Sequence, residues 1–312
     1  LEFGAMSEEA FSVVRQGLGV LVKSGTLVES SERSWRATTI GRRVFSRGPG
    51  PFGIIEAYHP YMSRLGDSLL KGRSSVWVRR GANVAASQDA NRSTFEQANN
   101  ALDTFCESYG FEYSVFIEHA MGRGEGIRQR YARSGDAIRY FGADLEDEAI
   151  DAALAEKKEG GQLPPNLGLI RNADIGRPEV VLSYLRREGV DTCDSVMVVG
   201  NGFHEVRDQS DEKMVAILKA YCDAGVLLLF TEASALSVRD LLETAWNTYH
   251  AGFKYVHEKS GQGLRPAYPS NAERSQSELH ASWDECATRA GYRRLKSFSK
   301  RSRTIFPFTT PD

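Results

Sequence analysis

Residues 114–144 have the sequence SVFIEHAMGRGEGIRQRYARSGDAIRYFGAD, and this stretch decides the fold. The apolar run Ser114–Ile117 predicts a buried parallel strand, and the glycines that follow give the backbone freedom to turn tightly into a helix. A second apolar run, Ile138–Ala143, predicts another strand, which ends at Asp144. An acid at that position accepts hydrogen bonds from ribose hydroxyls in dinucleotide-binding folds. The succession of strand, turn, helix, strand and acid therefore predicts a site for a nucleotide-type cofactor.

The segment Glu118-His-Ala120-Met-Gly122-Arg-Gly124 resembles the first motif of the class I S-adenosylmethionine-dependent methyltransferases. That motif is an acid followed by small residues at alternate positions, and here alanine replaces its first glycine. The resemblance implies that the first acid lies near the methionine end of the cofactor and that Asp144 holds the ribose. The residues that we expect to bind S-adenosylmethionine are Glu118, Ala120, Gly122, Gly124, Asp144, Leu145, Asp174, Ile175, Gly200 and Asn201.

Three further segments match the same family in the same order, so the resemblance extends over roughly residues 100–312. Leu169–Ile175, Asp194–Glu205 and Gly225–Glu232 resemble its third, fourth and fifth strands with their loops. In the family, the acid and apolar residue after the third strand flank the adenine. The alternation of strands with helical segments predicts an α/β fold: a Rossmann-like, doubly wound, mostly parallel sheet. The resemblance implies seven strands, with a terminal antiparallel hairpin between residues 292 and 308.

Turn and linker signals divide the chain into four parts. We expect a cloning remnant at residues 1–6, a partial winged-helix region at 7–46, a helical connector at 47–105 and the cofactor-binding domain at 106–312.

The winged-helix interpretation rests on the first helix and the segment after it. Apolar residues of Ala10–Lys23 follow helical spacing, a short hairpin is predicted next, and Thr39–Phe45 resembles the last part of a winged helix. Many small-molecule methyltransferases use such a domain to dimerise. Two upstream helices of a complete winged helix have no counterpart here, so we expect a second copy or a small partner protein to cover the apolar face of the first helix.

His204 and Glu205 are the predicted catalytic residues. They follow the fourth strand, and ligands in open α/β sheets bind beyond the carboxyl ends of the strands. A histidine can take a proton from a hydroxyl or amine during methyl transfer, and Glu205 could orient the ring or bind a substrate amine. Alternatively, either side chain caps the next helix or pairs with Arg207.

Substrate contacts are predicted in two places. The connector holds Arg80 and Gln88, and in related enzymes this region closes over the active site, although exposed arginines are commonly only solvated. An aromatic and histidine-rich segment follows the fifth strand, and it could wall a pocket or simply pack on the sheet. The expected substrate-binding residues are Arg80, Gln88, Trp246, Tyr249, His250, Tyr255 and His257.

Composition limits the classes of partner. The 312 residues carry 39 basic and 41 acidic side chains, so the formal net charge of -2 gives no general attraction to nucleic acid or an anionic membrane. No apolar run approaches the roughly 18 residues of a membrane span. Four scattered cysteines show neither zinc-ligand spacing nor a dense disulfide pattern, so we expect reduced thiols, a cytoplasmic location and no metal.

The predicted function is transfer of a methyl group from S-adenosylmethionine to an oxygen, nitrogen or carbon atom of a small molecule. The winged-helix resemblance favours specialised metabolism, such as natural-product or antibiotic biosynthesis. Two alternatives stay open: ring closure without methylation, such as aziridine formation, and a non-catalytic regulator with a degenerate cofactor site. A nicotinamide dehydrogenase is less favoured, because its Gly-x-Gly-x-x-Gly motif is absent.

Overall fold

The structure is a computed structural model. It describes residues 6–45, 59, 63–71, 81–155, 162–232, 263–266, 280–295, 304–305 and 307–308. No helix within these ranges is both long enough and apolar enough to span a lipid bilayer.

The N-terminal region consists of a helix, a hairpin and a second helix. These elements are α1 (Glu8–Lys23), β1 (Leu27–Ser31), β2 (Ser34–Ala37) and α2 (Thr39–Phe45). The side chain of Ser7 accepts a hydrogen bond from the amide of Ala10, which caps the start of α1. Phe11 of α1 and Trp35 of β2 are both buried in a small core. The predicted first helix and hairpin are confirmed, whereas the identification of this region as a winged helix stays a prediction.

Two helices lead from this region to the sheet: α3 (Leu65–Lys71) and α4 (Gly81–Tyr109). The sequence predicted a helical connector over residues 47–105, and α4 continues beyond the end of that range. The predicted domain boundary after residue 105 therefore falls inside α4. Phe105 is fully buried in the core on the sheet, so the end of this helix packs with the domain that follows.

The sheet has five parallel strands that alternate with helices along the chain. The elements are β3 (Val115–His119), α5 (Glu125–Ser134), β4 (Arg139–Ala143), α6 (Asp147–Ala155), β5 (Gly168–Ile170), α7 (Pro178–Arg187), β6 (Ser195–Gly200), α8 (Asp211–Asp223) and β7 (Leu227–Thr231). The last described elements are α9 (Trp283–Arg289), β8 (Arg293–Arg294), β9 (Thr304–Ile305) and β10 (Pro307–Phe308).

The strands lie in the order β5-β4-β3-β6-β7-β9, with β9 antiparallel to β7. A separate antiparallel pair joins β8 and β10. The chain order reverses direction between β3 and β6, which is the switch point where open α/β sheets bind ligands. The predicted mostly parallel sheet and its antiparallel end are confirmed, and the described residues place six strands in this sheet where seven were expected.

Alternate side chains of each strand point to opposite faces of the sheet, and helices cover both faces, so both are buried. Ile117 and Met197 belong to a core with residues of α7, α8 and α9. Phe116 and Val196 belong to a second core, which includes Phe95 and other residues of α4. Near-continuous apolar strands are typical of such doubly covered sheets, and this arrangement leaves the carboxyl edge of the strands as the place for a site.

Candidate active site at the carboxyl edge of the sheet

The turn between β3 and α5 has three residues in the left-handed backbone region. Ala120, Gly122 and Gly124 have φ angles of 58°, 52° and 73°. A Cβ atom at Gly124 would lie 2.9 Å from the side chain of Leu163 and 3.1 Å from that of Met121, so this position needs glycine for space as well as for conformation. The motif thus forms the tight strand-to-helix turn that the sequence predicted.

Glu118 holds the start of α5, the helix that follows this turn. Its side chain is fully buried, and its carboxylate accepts hydrogen bonds from the backbone amides of Gly126 and Ile127, at 3.1 and 2.7 Å. These amides belong to the first turn of α5, where a helix has unpaired donors. Burial raises the pKa of Glu118 to about 8, and the two amide hydrogen bonds oppose that rise. The described contacts of this acid are with the helix, so it fixes the geometry of the loop.

Asp144 lies at the end of β4 and joins that strand to the glycine turn. Its carboxylate accepts hydrogen bonds from the backbone amide of Gly122 at 2.8 Å and from that of Glu146 at 3.0 Å. The neighbouring Leu145 is 48% exposed. An acid that is only half-buried therefore stands next to an exposed apolar side chain, which is a suitable pair for a ligand with both a diol and an aromatic base.

The loops after β3, β5 and β6 converge. A Cβ atom at Gly202 would lie 3.0 Å from Cβ of Ala120 and 3.0 Å from Cδ1 of Ile175, so one residue from each loop meets at one point. Asp174, before Ile175, is half-buried, and its carboxylate accepts a hydrogen bond from the amide of Gly176 at 2.8 Å. The predicted cofactor residues of these loops are therefore close to one another at the carboxyl edge.

Gly200 and Asn201 form the end of β6 and the start of its loop. A Cβ atom at Gly200 would lie 2.4 Å from the ring of Phe95, so this glycine allows α4 to pack against the strand end. Asn201 has a φ of 54°, and its amide donates to the carbonyl of Thr231 at 2.7 Å. Both residues lie where the sequence placed them, and their described contacts shape the loop that carries the next two side chains.

His204 lies between two carboxylates. Its Nδ1 is 2.6 Å from Oε2 of Glu232, and its Nε2 is 2.9 Å from Oε1 of Glu205. The neutral form of the ring carries one proton, and we assign it to Nδ1 because this nitrogen makes the shorter contact, with Glu232, which fixes the orientation of the ring. Glu232 is fully buried, whereas the side chain of Glu205 is 15% exposed. The more accessible side of the imidazole is therefore the Nε2 side.

Glu232 is a functional candidate that the sequence reasoning missed. It follows β7 directly, and its other oxygen accepts a hydrogen bond from the backbone amide of Phe203 at 2.5 Å. The sequence signal was available, since an acid at the carboxyl end of the fifth parallel strand shares an edge with the loop after the fourth. Glu205 also contacts the ring, so the orienting role that the sequence allowed for Glu205 is shared with Glu232 in this geometry.

His119 ends β3, and its side chain lies between α8 and the loop after β5. Its Nε2 lies 3.1 Å from the carbonyl oxygen of Ala173, and its Nδ1 lies 3.1 Å from the hydroxyl of Tyr221. Because a carbonyl can only accept, Nε2 carries the proton and Nδ1 accepts from the tyrosine. Burial lowers the pKa of His119 to about 4. This neutral ring braces the end of β3 against α8 and the loop after β5.

The predicted substrate residues are not tested by these contacts. Arg80, Trp246, Tyr249, His250, Tyr255 and His257 lie outside the described residues. Gln88 lies within α4, and its side chain is likewise outside the described part of the structure.

Comparisons with known proteins identify the fold. No protein-family model matches the sequence, and no curated protein matches it. Among solved structures, a protein of Nostoc punctiforme PCC 73102 described as an O-methyltransferase is 12% identical, with a TM-score of 0.55, and the match covers 96% of this chain and 85% of that one.

Two further solved structures are similar to this chain in fold. Human N-acetylserotonin methyltransferase in complex with S-adenosylmethionine is 12% identical, with a TM-score of 0.51 and coverage of 96% of this chain and 84% of that chain. The structure of TnmH is 15% identical, with a TM-score of 0.50 and coverage of 94% and 83%. Identities this low establish similarity of fold. The chain has the fold of the class I S-adenosylmethionine-dependent methyltransferases.

Proposed function

We propose that this protein is a methyltransferase that binds S-adenosylmethionine at the carboxyl edge of the sheet and methylates a small molecule. The observation that carries the proposal is the convergence of the glycine turn, Asp144 and the His204 loop at one edge of this fold. The human enzyme with the same fold was solved with S-adenosylmethionine, which supports the choice of cofactor.

The residues at this edge suit S-adenosylmethionine chemically. The cofactor has no phosphate, so it needs no basic cluster, and its ribose diol needs a hydrogen-bond acceptor such as Asp144. The exposed side chain of Leu145 supplies apolar surface for the adenine and the half-buried Asp174 supplies an acceptor, whereas Ile175 is buried in the core. When bound, the cofactor supplies a methyl group on a positively charged sulfur, which is open to attack by a nucleophile.

His204, Glu205 and Glu232 provide for the proton that an O–H or N–H nucleophile loses. In the tautomer that carries its proton on Nδ1, Nε2 has a free lone pair on the more accessible side and takes this proton. Glu205 then accepts a hydrogen bond from Nε2, and the buried Glu232 stabilises the positive ring that results. A carbon nucleophile with an acidic C–H uses the same base. Correct placement of the acceptor beside the cofactor supplies much of the rate.

The acceptor is a small molecule in this proposal, and specialised metabolism is its setting. Ring closure without methylation and a purely regulatory role have no observation in their favour among the described residues or the comparisons. Homodimerisation, or association with a small partner protein through the N-terminal region, stays a prediction.

The test is detection of S-adenosylhomocysteine after incubation of the protein with S-adenosylmethionine and a panel of hydroxylated, amino-substituted and carbon-acid aromatic compounds. We expect one class of acceptor to give stoichiometric S-adenosylhomocysteine and a product heavier by one methylene. We expect His204→Asn to lower kcat by about 10² or more while it leaves cofactor affinity unchanged. Cofactor binding without any S-adenosylhomocysteine across the panel would favour the non-methylating alternative, and turnover unaffected by His204→Asn would remove the histidine from the mechanism.

A further inference from the structure

Arg265 is a fully buried arginine in residues 263–266, here called the return segment, which follow the predicted substrate region in sequence. Its guanidinium donates to Gln209 Oε1 at 2.8 Å, to Asp211 Oδ1 at 2.5 Å and to the carbonyl oxygens of Ala281 and Ser210, each at 3.0 Å. Burying a cation is costly unless it is paired and hydrogen-bonded, and here Asp211 pairs with the charge while each of the three guanidinium nitrogens donates at least one hydrogen bond. This side chain therefore holds three separate segments in one fixed arrangement.

Gln209 carries this arrangement to the loop that holds the proposed base. Its Nε2 donates to the carbonyl oxygen of Phe203 at 2.9 Å and to that of Gly263 at 3.3 Å. The amide of Gly263 in turn donates to the carbonyl oxygen of His204 at 3.0 Å. A Cβ atom at Gly263 would lie 2.6 Å from Cδ of Gln209, so the glycine is needed for the amide to fit.

The backbone of Phe203 and His204 is thus held from two directions. Glu232 binds the amide of Phe203 and the ring of His204 on one side. Gln209 and Gly263 bind the two carbonyl oxygens on the other. A ring whose backbone and Nδ1 are both fixed keeps its Nε2 in one place, and preorganisation of this kind is what a general base requires.

We propose that Gln209 and Arg265 are positioning residues for His204: Arg265 orients the amide of Gln209, and Gln209 fixes the backbone from which the histidine ring projects. The effect of these residues on kcat rests on the proposed function, whereas their effect on the position of the His204 ring does not. The competing explanation is that Arg265 only fastens the return segment to α8 and α9 through Asp211 and Ala281.

Gln209→Glu separates the two explanations. The carboxylate can still accept from Arg265, so the fastening of the return segment is kept. It cannot donate to the carbonyl oxygens of Phe203 and Gly263, so the link to the histidine loop is broken. Gln209→Met removes both links with little change in volume. Thr192→Val is the matched control, because it removes a 2.6 Å hydrogen bond from a side chain to the carbonyl of Ala224 at the opposite end of β6.

The first readout is independent of catalysis. With ¹⁵N-labelled histidine, the ring N–H signal of His204 is assigned among the six histidines by its loss in His204→Gln. We expect Gln209→Glu and Gln209→Met to shift, broaden or abolish this signal, because the short contact with Glu232 is no longer maintained. We expect the signal to be unchanged in Thr192→Val. A His204 signal that stays at its wild-type position in both Gln209 variants would overturn the proposal.

The second readout applies once an acceptor is known. We expect both Gln209 variants to lower kcat by about tenfold or more, since small misplacement of a reacting group is costly, with the dissociation constant of S-adenosylmethionine changed by less than about twofold. Arg265→Lys should fall between Gln209→Glu and the wild type. Equal losses of cofactor affinity and kcat would contradict a positioning role. The spectroscopic readout needs no substrate, so it still tests the positioning role of Gln209 and Arg265 if the proposed function is wrong.

Discussion

Glu118→Gln gives a direct test of how the cofactor turn is supported. The wild-type carboxyl group is fully buried, and its pKa rises from 4.5 to about 8 because burial disfavours the charged form. The folded protein therefore holds this proton more tightly than the unfolded chain does. The contribution of Glu118 to stability is greatest below pH 4.5 and falls as the pH rises to about 8. One pKa unit corresponds to about 1.4 kcal/mol, so the fall amounts to about 3 to 4 kcal/mol between pH 5 and pH 8.

The assay is chemical denaturation at half-unit steps from pH 5 to pH 8, with wild type, Glu118→Gln and the exposed Glu148→Gln as baseline. Glutamine does not titrate, so the free energy of unfolding of wild type minus that of Glu118→Gln isolates the carboxyl group. We expect this difference to fall steadily with pH, while the difference for Glu148→Gln stays flat. A difference that rises with pH would refute the reasoning, because it would show that the amides of Gly126 and Ile127 outweigh burial and keep the carboxylate ionised.

Two further predictions concern the same edge of the sheet. Burial lowers the pKa of His119 from 6.5 to about 4, so its neutral ring stabilises the fold above pH 6.5 and this contribution is lost as the pH falls to 4. In denaturant titrations between pH 7 and pH 4, we therefore expect the unfolding free energy of wild type to drop by about 3 kcal/mol more than that of His119→Gln. At β6, Gly200→Ala should destabilise by about 1 to 3 kcal/mol because the added methyl would overlap the ring of Phe95. The control is Gly17→Ala on α1, where the added methyl would meet nothing within 4 Å, and we expect it to raise the melting temperature. A melting temperature for Gly200→Ala that is equal to or above that of wild type would contradict the packing argument.

The parallel strands were predictable because each is a short apolar run bounded by turn residues. The apolar runs before Glu118 and Asp144 predicted the bounds of β3 and β4 within one or two residues, and the order of acids and glycines indicated which strand comes first. Buried strands leave this trace in any single sequence. The start of α4 at Gly81 left no such trace, since residues 81–90 hold small alanines and a single valine but no larger apolar side chain that would mark a buried face.

The contacts between distant segments were not predictable from local pattern. His204 and Glu232 lie in separate loops, and their pairing follows only from the adjacency of β6 and β7. The same is true of Gln209 and Arg265, whose hydrogen bond joins residues that no sequence period relates. Glu118 shows the intermediate case: its position at the strand end was evident, but its attachment to α5 depends on which face of β3 it occupies. The aromatic segment at residues 246–257 stays a prediction.

The most direct test of the central claim is isothermal titration calorimetry of the protein with S-adenosylmethionine and S-adenosylhomocysteine. Asp144→Asn removes the charge of the proposed ribose ligand, and Asp151→Asn on α6 makes the same change at an exposed ion pair with Arg171. We expect wild type and Asp151→Asn to bind both compounds equally well and Asp144→Asn to bind at least about tenfold more weakly, a loss of about 1.4 kcal/mol or more. Absence of binding by wild type, or equal binding by all three proteins, would contradict the account.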